Sequence, residues 1–132
     1  MPNIPIGLQL YSVREDCARA AATIGEATGI APRLYRPPYG VFSLAALHLV
    51  RRRGWMPLLW SKWGRDWEPR ARPEEIAREA TRGLGPGDVV LLHDADSYSS
   101  ADSWRRTVAA LPSVLDAARA TGEPLVSATQ ST

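Results

Sequence analysis

Cysteine, lysine and histidine are all scarce in these 132 residues. Cys17 stands alone, so no disulfide can form within the chain, and one thiol neither requires nor rules out an oxidising compartment. Lys62 is the only lysine, and the formal net charge is only +2. That excludes a broad basic face for nucleic acid. The run Arg51-Arg52-Arg53 reads instead as cations in the last turn of a helix, where the macrodipole favours them. No apolar run approaches the roughly 20 residues a membrane helix needs. The start, Met1-Pro2-Asn3-Ile4-Pro5, lacks the basic and apolar regions of a secretory signal. The chain as written is therefore expected to be soluble and cytoplasmic, with no membrane and no nucleic-acid partner, although a longer parent could be exported. A Gly-x-Ser-x-Gly elbow, a P-loop and a dinucleotide fingerprint are all missing.

What is present is a normal apolar fraction of 45%, enough for one globular core. Strand and helix signals alternate. Ile4, Ile6, Leu8 and Leu10 recur at period two and predict a strand. Glu15 to Thr28 predicts a helix stopped by Gly29. Leu34-Tyr35-Arg36 predicts a short strand that must leave the sheet at Pro37-Pro38. Ser43 is the expected N-cap of a helix over Leu44 to Arg53, closed by Gly54. Trp55 to Trp60 predicts a strand, and Ser61 to Arg72 a polar loop. Pro73 with Glu74-Glu75 opens a helix to about Gly83. Asp88 to His93 predicts a buried strand. Asp102 is expected to cap a helix to Ala110, Pro112 to begin another to Thr121, and Pro124 to Ser127 to form a last strand. The fold class implied is α/β, with about five parallel strands and helices between them.

Three polar clusters fall where strands end, the edge at which βα folds gather ligands and catalytic groups. They are Arg36-Pro37-Pro38-Tyr39-Gly40, Asp66-Trp67 and Leu91-Leu92-His93-Asp94. Taken singly, each has a plain structural reading. Arg36 would be a surface ion-pair partner, Asp66-Trp67 a loop acid beside a half-buried ring, and His93 a hydrogen-bonded structural histidine. His93-Asp94-Ala95-Asp96 could also be read as metal ligands, but neighbouring His and Asp on one loop rarely converge on one ion. The tryptophans and tyrosines could line a sugar-binding groove, with Trp55 and Trp60 assigned to the core.

In this order and at these spacings, the clusters resemble the third, fourth and fifth motifs of the NodB-type polysaccharide deacetylases, which belong to carbohydrate esterase family 4. Those motifs are an Arg-x-Pro-x-Gly turn, an Asp-Trp loop and a Leu-x-His strand end. The resemblance runs from about Ile30 to Thr129 and covers the C-terminal half of such a domain. It implies an incomplete (β/α) barrel of the glycoside hydrolase/deacetylase type, and metal-dependent hydrolysis of acetyl groups on a carbohydrate partner. It also implies residue roles. Arg36 would pair with the general base, and the Tyr39 N–H, held beside Pro38, would help bind the oxyanion. His93 would be the general acid, oriented by Asp66. Trp67, Leu91 and Pro38 would wall the substrate pocket.

The sequence departs from that family in three places. The family's Thr-Phe-Asp-Asp-Gly and His-x-x-x-His segments, which supply the base and the ligands of a divalent metal, commonly zinc, do not occur. The only histidines are His48 and His93, and there is no Asp-Asp pair. This chain is therefore expected to bind no metal by itself and to be inactive alone. Residues 1–17 form a separate segment, with 18–132 as the deacetylase-like part. Ile4 to Asp16 is similar to the first strand of xylose isomerase-like sugar phosphate isomerases and epimerases, which suggests a chimeric or truncated reading frame. Finally, Trp63 stands where the family often has a further Asp. The competing reading is a non-catalytic remnant or sugar-binding module, with exposed sheet edges favouring self-association.

Overall fold

A computed structural model describes residues 17–97 and 99–126. The expected strand over Ile4 to Leu10 and the isomerase-like segment that contains it lie outside them, as does the end of the predicted Pro124 to Ser127 strand. The described part of that last segment, 124–126, takes no regular structure. Two compact units are present, one ending at Leu59 and the other beginning at Trp60.

The first unit opens with helix α1 (Cys17–Thr28). Gly29 stops it by turning left-handed at φ 71°, while its N–H still reaches the Gly25 carbonyl at 2.8 Å. Strand β1 (Leu34–Tyr35) lies parallel to β2 (Met56–Pro57), with Leu34 opposite Met56 and Tyr35 opposite Pro57. The proline sits in this ladder without loss. The N–H groups facing β1 come from Met56, to Arg33 O at 2.8 Å, and Leu58, to Tyr35 O at 2.9 Å. Pro57 occupies the position between them, where no donor toward β1 is needed.

Helix α2 (Leu44–Arg53) has the predicted caps. The Ser43 hydroxyl accepts the Ala46 N–H at 3.1 Å. Gly54 is left-handed, and the bonds Gly54 N–H to Arg51 O and Trp55 N–H to Val50 O close the helix as a Schellman pair. Tyr35 stacks on Trp55, with centroids 6.3 Å apart. This brings the strand β1 ring onto the residue that leads into β2.

The second unit carries β3 (Lys62–Trp63) and β4 (Val90–Leu91), again parallel, with Lys62 opposite Val90 and Trp63 opposite Leu91. The segment read as a polar loop supplies β3, because the Ser61 and Lys62 N–H groups both reach Val89 O. The expected strand over Trp55 to Trp60 is only Met56–Pro57.

Helix α3 (Pro73–Thr81) begins as predicted. Pro73 takes the first turn, and the Glu75 carboxylate accepts the Arg72 N–H at 3.4 Å. It packs against α4 (Ser103–Ala120) through Ile76, Ala77 and Ala80 on one side and Ala110 and Val114 on the other; Ala71, Val90 and Leu92 close the cluster.

The two helices predicted across Pro112 are one. The bond that Pro112 cannot make would end on the Val108 carbonyl, and Val108 is 53% exposed. Asp102 precedes α4 without capping it. Its carboxylate pairs instead with Arg105 Nε at 3.0 Å.

Among the described residues there are thus four two-residue strands in two parallel pairs. The fold is α/β. No helix among those residues is long and apolar enough to cross a membrane.

Candidate active site

Arg36 is half-buried and follows directly on β1 in the first unit. The two prolines then hold a tight turn over Pro38–Gly40, closed by Gly40 N–H to Pro37 O at 3.1 Å and Val41 N–H to Pro38 O at 3.2 Å. Pro37 is buried and Pro38 half-buried. Tyr39 sits in the left-handed region at φ 56°, and its side chain is turned to solvent at 72% exposure. A non-glycine residue in that region carries a backbone cost of about 1 kcal/mol or more. The turn therefore fixes the direction of the Tyr39 backbone at an energetic cost, which is a feature of sites where backbone direction matters.

In the second unit the structure brings Asp66, Trp67 and His93 together. Asp66 enters on a turn after β3, with Arg65 left-handed at φ 52° just before it. His93 follows β4, where Leu92 is drawn into the helical core. Gly64 allows the two segments to meet. A Cβ there would lie 2.7 Å from Leu92 Cδ2 and 2.8 Å from Ile76 Cγ2, so any side chain would have to displace them.

Asp66 is fully buried, at 0% exposure, and its carboxylate accepts three hydrogen bonds. Its Oδ1 accepts from His93 Nδ1 at 2.9 Å. Its Oδ2 accepts the His93 backbone N–H at 2.6 Å and the Thr107 hydroxyl at 2.8 Å. Burial alone would push the Asp66 carboxyl up. The hydrogen bonds from the His93 ring, the His93 N–H and the Thr107 hydroxyl outweigh it and, with the charge of His93, hold the carboxyl below its usual range. An ionised Asp66 keeps the proton of neutral His93 on Nδ1. The His93 side chain is 43% exposed, so a ligand can reach it.

Trp67 stands edge-on to the imidazole, with centroids 5.5 Å apart and planes at 86°. Leu91, half-buried in β4, lies opposite Trp63. Trp63 supplies no charge, and the further bond to Asp66 comes from Thr107. The motif reading missed this residue because it lies far along the chain on α4. The signal was present: Ser103, Thr107, Ala110, Val114 and Ala118 recur at helical spacing and form the buried stripe of α4.

The His93-Asp94-Asp96 cluster does not form a metal site. Asp94 is exposed, and Asp96 accepts the Asp102 N–H at 2.8 Å in a local turn. Among the described residues no three His, Cys, Asp or Glu side chains are grouped to hold a metal ion. His48 is exposed on α2. The donors among the described residues do not fit the divalent metal that the sequence resemblance implies.

The chain is similar to a chitooligosaccharide deacetylase of Azorhizobium caulinodans, 36% identical over 96 residues, which cover 68% of this chain and 45% of that protein. It is also similar to a peptidoglycan-N-acetylglucosamine deacetylase of Bacillus cereus, 36% identical over 86 residues, covering 64% of this chain and 38% of that protein. The chain therefore spans less than half the length of these relatives. Among solved structures, a family 4 carbohydrate esterase from Streptomyces lividans in complex with acetate aligns with a TM-score of 0.65 at 26% identity, covering 91% of this chain and 58% of that one. No family model matches the chain.

Proposed function

Because the chain is a fragment of the NodB-type polysaccharide deacetylases of carbohydrate esterase family 4, we propose that it supplies the acid side of an active site that removes acetyl groups from a glycan. The observation that carries this reading is the His93–Asp66 pair: a solvent-reachable imidazole whose Nδ1 is held at 2.9 Å by a buried, ionised carboxylate. Such a pair suits protonation of a leaving amine or alcohol from Nε2 near neutral pH. Trp67 and Leu91 would wall the space for the acetyl methyl. One relative is named a chitooligosaccharide deacetylase, another a peptidoglycan-N-acetylglucosamine deacetylase, and a third was solved with acetate, which supports an acetylated carbohydrate as the partner.

For the first unit the family resemblance carries expectations of its own, an oxyanion contact for the Tyr39 N–H and a general-base partner for Arg36. That base, and the ligands of the metal on which the family's reaction depends, would come from segments this sequence does not contain. The runner-up is a non-catalytic remnant, favoured by the same missing residues.

Acetate release from a chitooligosaccharide separates the two. The chain alone should release none. Mixed with a segment carrying the Thr-Phe-Asp-Asp-Gly and His-x-x-x-His motifs, it should release acetate, and His93→Ala should slow that release about 100-fold or more. Release that is indifferent to His93→Ala would reject the acid role, and the absence of release from any mixture would favour the remnant.

A further inference from the structure

We infer that Trp63 is the floor of a sugar-stacking ledge beside His93, holding a pyranose ring of the glycan next to the one that reacts. The substrate class rests on the deacetylase reading, but the ledge itself rests on geometry.

Side chains alternate across a strand, so neighbours in β3 point to opposite faces. Gly64 and Leu92 face the α3–α4 core. Trp63 and its register partner Leu91 therefore share the other face with His93. Lys62 is turned away as well, with its ammonium on the Arg82 carbonyl at 2.9 Å and near Asp88 at 3.7 Å. β3 thus offers an aromatic surface without a cation on this side.

The rings run in sequence. Trp60 lies 6.4 Å from Trp63, Trp63 lies 5.3 Å from Trp67, and Trp67 meets the His93 ring edge. Trp63 keeps 47% of its surface in solvent, although its neighbours are half-buried. An indole exposed this far beside a polar site is a contact surface in search of an apolar partner. A pyranose provides one, because its axial C–H groups make an apolar face while its hydroxyls stay in water. The ledge is continuous with His93, and that continuity selects the next ring of the same glycan as the occupant.

The test is a titration of the whole chain with tetra-N-acetylchitotetraose, followed by the indole N–H resonance of Trp63 and the dissociation constant. Trp63→Ala should weaken binding about tenfold, and Trp63→Phe, which keeps a stacking ring, should stay within about threefold. Thermal unfolding of each variant checks that the fold persists. Absence of binding by the parent, equal binding by Trp63→Ala, or a folded Trp63→Phe as weak as Trp63→Ala would each overturn the ledge. Cellotetraose separates this result from the deacetylase reading. Trp63-dependent binding of both sugars supports the ledge without supporting acetyl recognition. Release of acetate that needs His93 but ignores Trp63 would uphold the deacetylase reading and reject the ledge.

Discussion

Asp66 takes up two of the site's burdens at once: it is the ring's anchor and a charge removed from water. Its three donors make that burial tolerable, and losing one exposes the cost. Thr107→Val keeps the volume of the side chain and deletes one bond to a buried carboxylate. The expected loss is about 1–3 kcal/mol, read as a lower urea midpoint, with Thr107→Ser recovering part of it.

The pH dependence follows from the same residue. The folded pKa of Asp66 lies below its unfolded value, so its contribution is fully present above the ordinary carboxylate pKa of about 3.9 and is lost as pH falls through the lowered folded value. The urea midpoint of the parent should therefore fall on acidification below about pH 4 more steeply than that of Asp66→Asn. Matching slopes would show that Asp66 is not held ionised. Little of this network could be read locally from the sequence. Asp66 and His93 announced themselves as strand-end residues, while Thr107 required the register of a distant helix.

At the scale of elements, Gly64 and Pro112 make opposite predictions. A methyl at Gly64 would press on Leu92 and Ile76, the side chains that seat β3 and β4 on α3. Gly64→Ala should cost about 1–3 kcal/mol and disturb the His93 ring environment. Pro112→Ala restores a missing donor inside α4 and should raise the melting temperature, worth up to about 3 kcal/mol. A fall would mean that the proline limits the unfolded chain more than it harms the helix.

Helix ends were the most legible elements, because Ser43, Gly54, Gly29 and Pro73 act through local backbone geometry. The strands were harder to read. A ladder of two residues has no room for a periodic pattern, and Lys62–Trp63 is a strand because of the Val89 carbonyl it meets, a partner far along the chain. Pro112 reads locally as a helix start, yet α4 runs through it.

For the molecule as a whole, the family was legible from three short motifs because each sits on a turn or strand end whose chemistry constrains its residues. The α/β class followed from the alternation of signals. The convergence of Asp66 with His93 required coordinates. The first unit also exposes Ile30, Val41 and Leu44, large apolar groups that water solvates poorly. Sedimentation should therefore show association that rises with chain concentration; a monomer at all concentrations would contradict that expectation.

A buried carboxylate governs the His93 imidazole. Nitrogen-detected NMR of His93 through a pH titration, in the parent and in Asp66→Asn, tests this directly. The parent's neutral ring should carry its proton on Nδ1, and the variant should titrate at a lower pH. A ring protonated on Nε2, or one whose titration is the same in both proteins, would contradict the account.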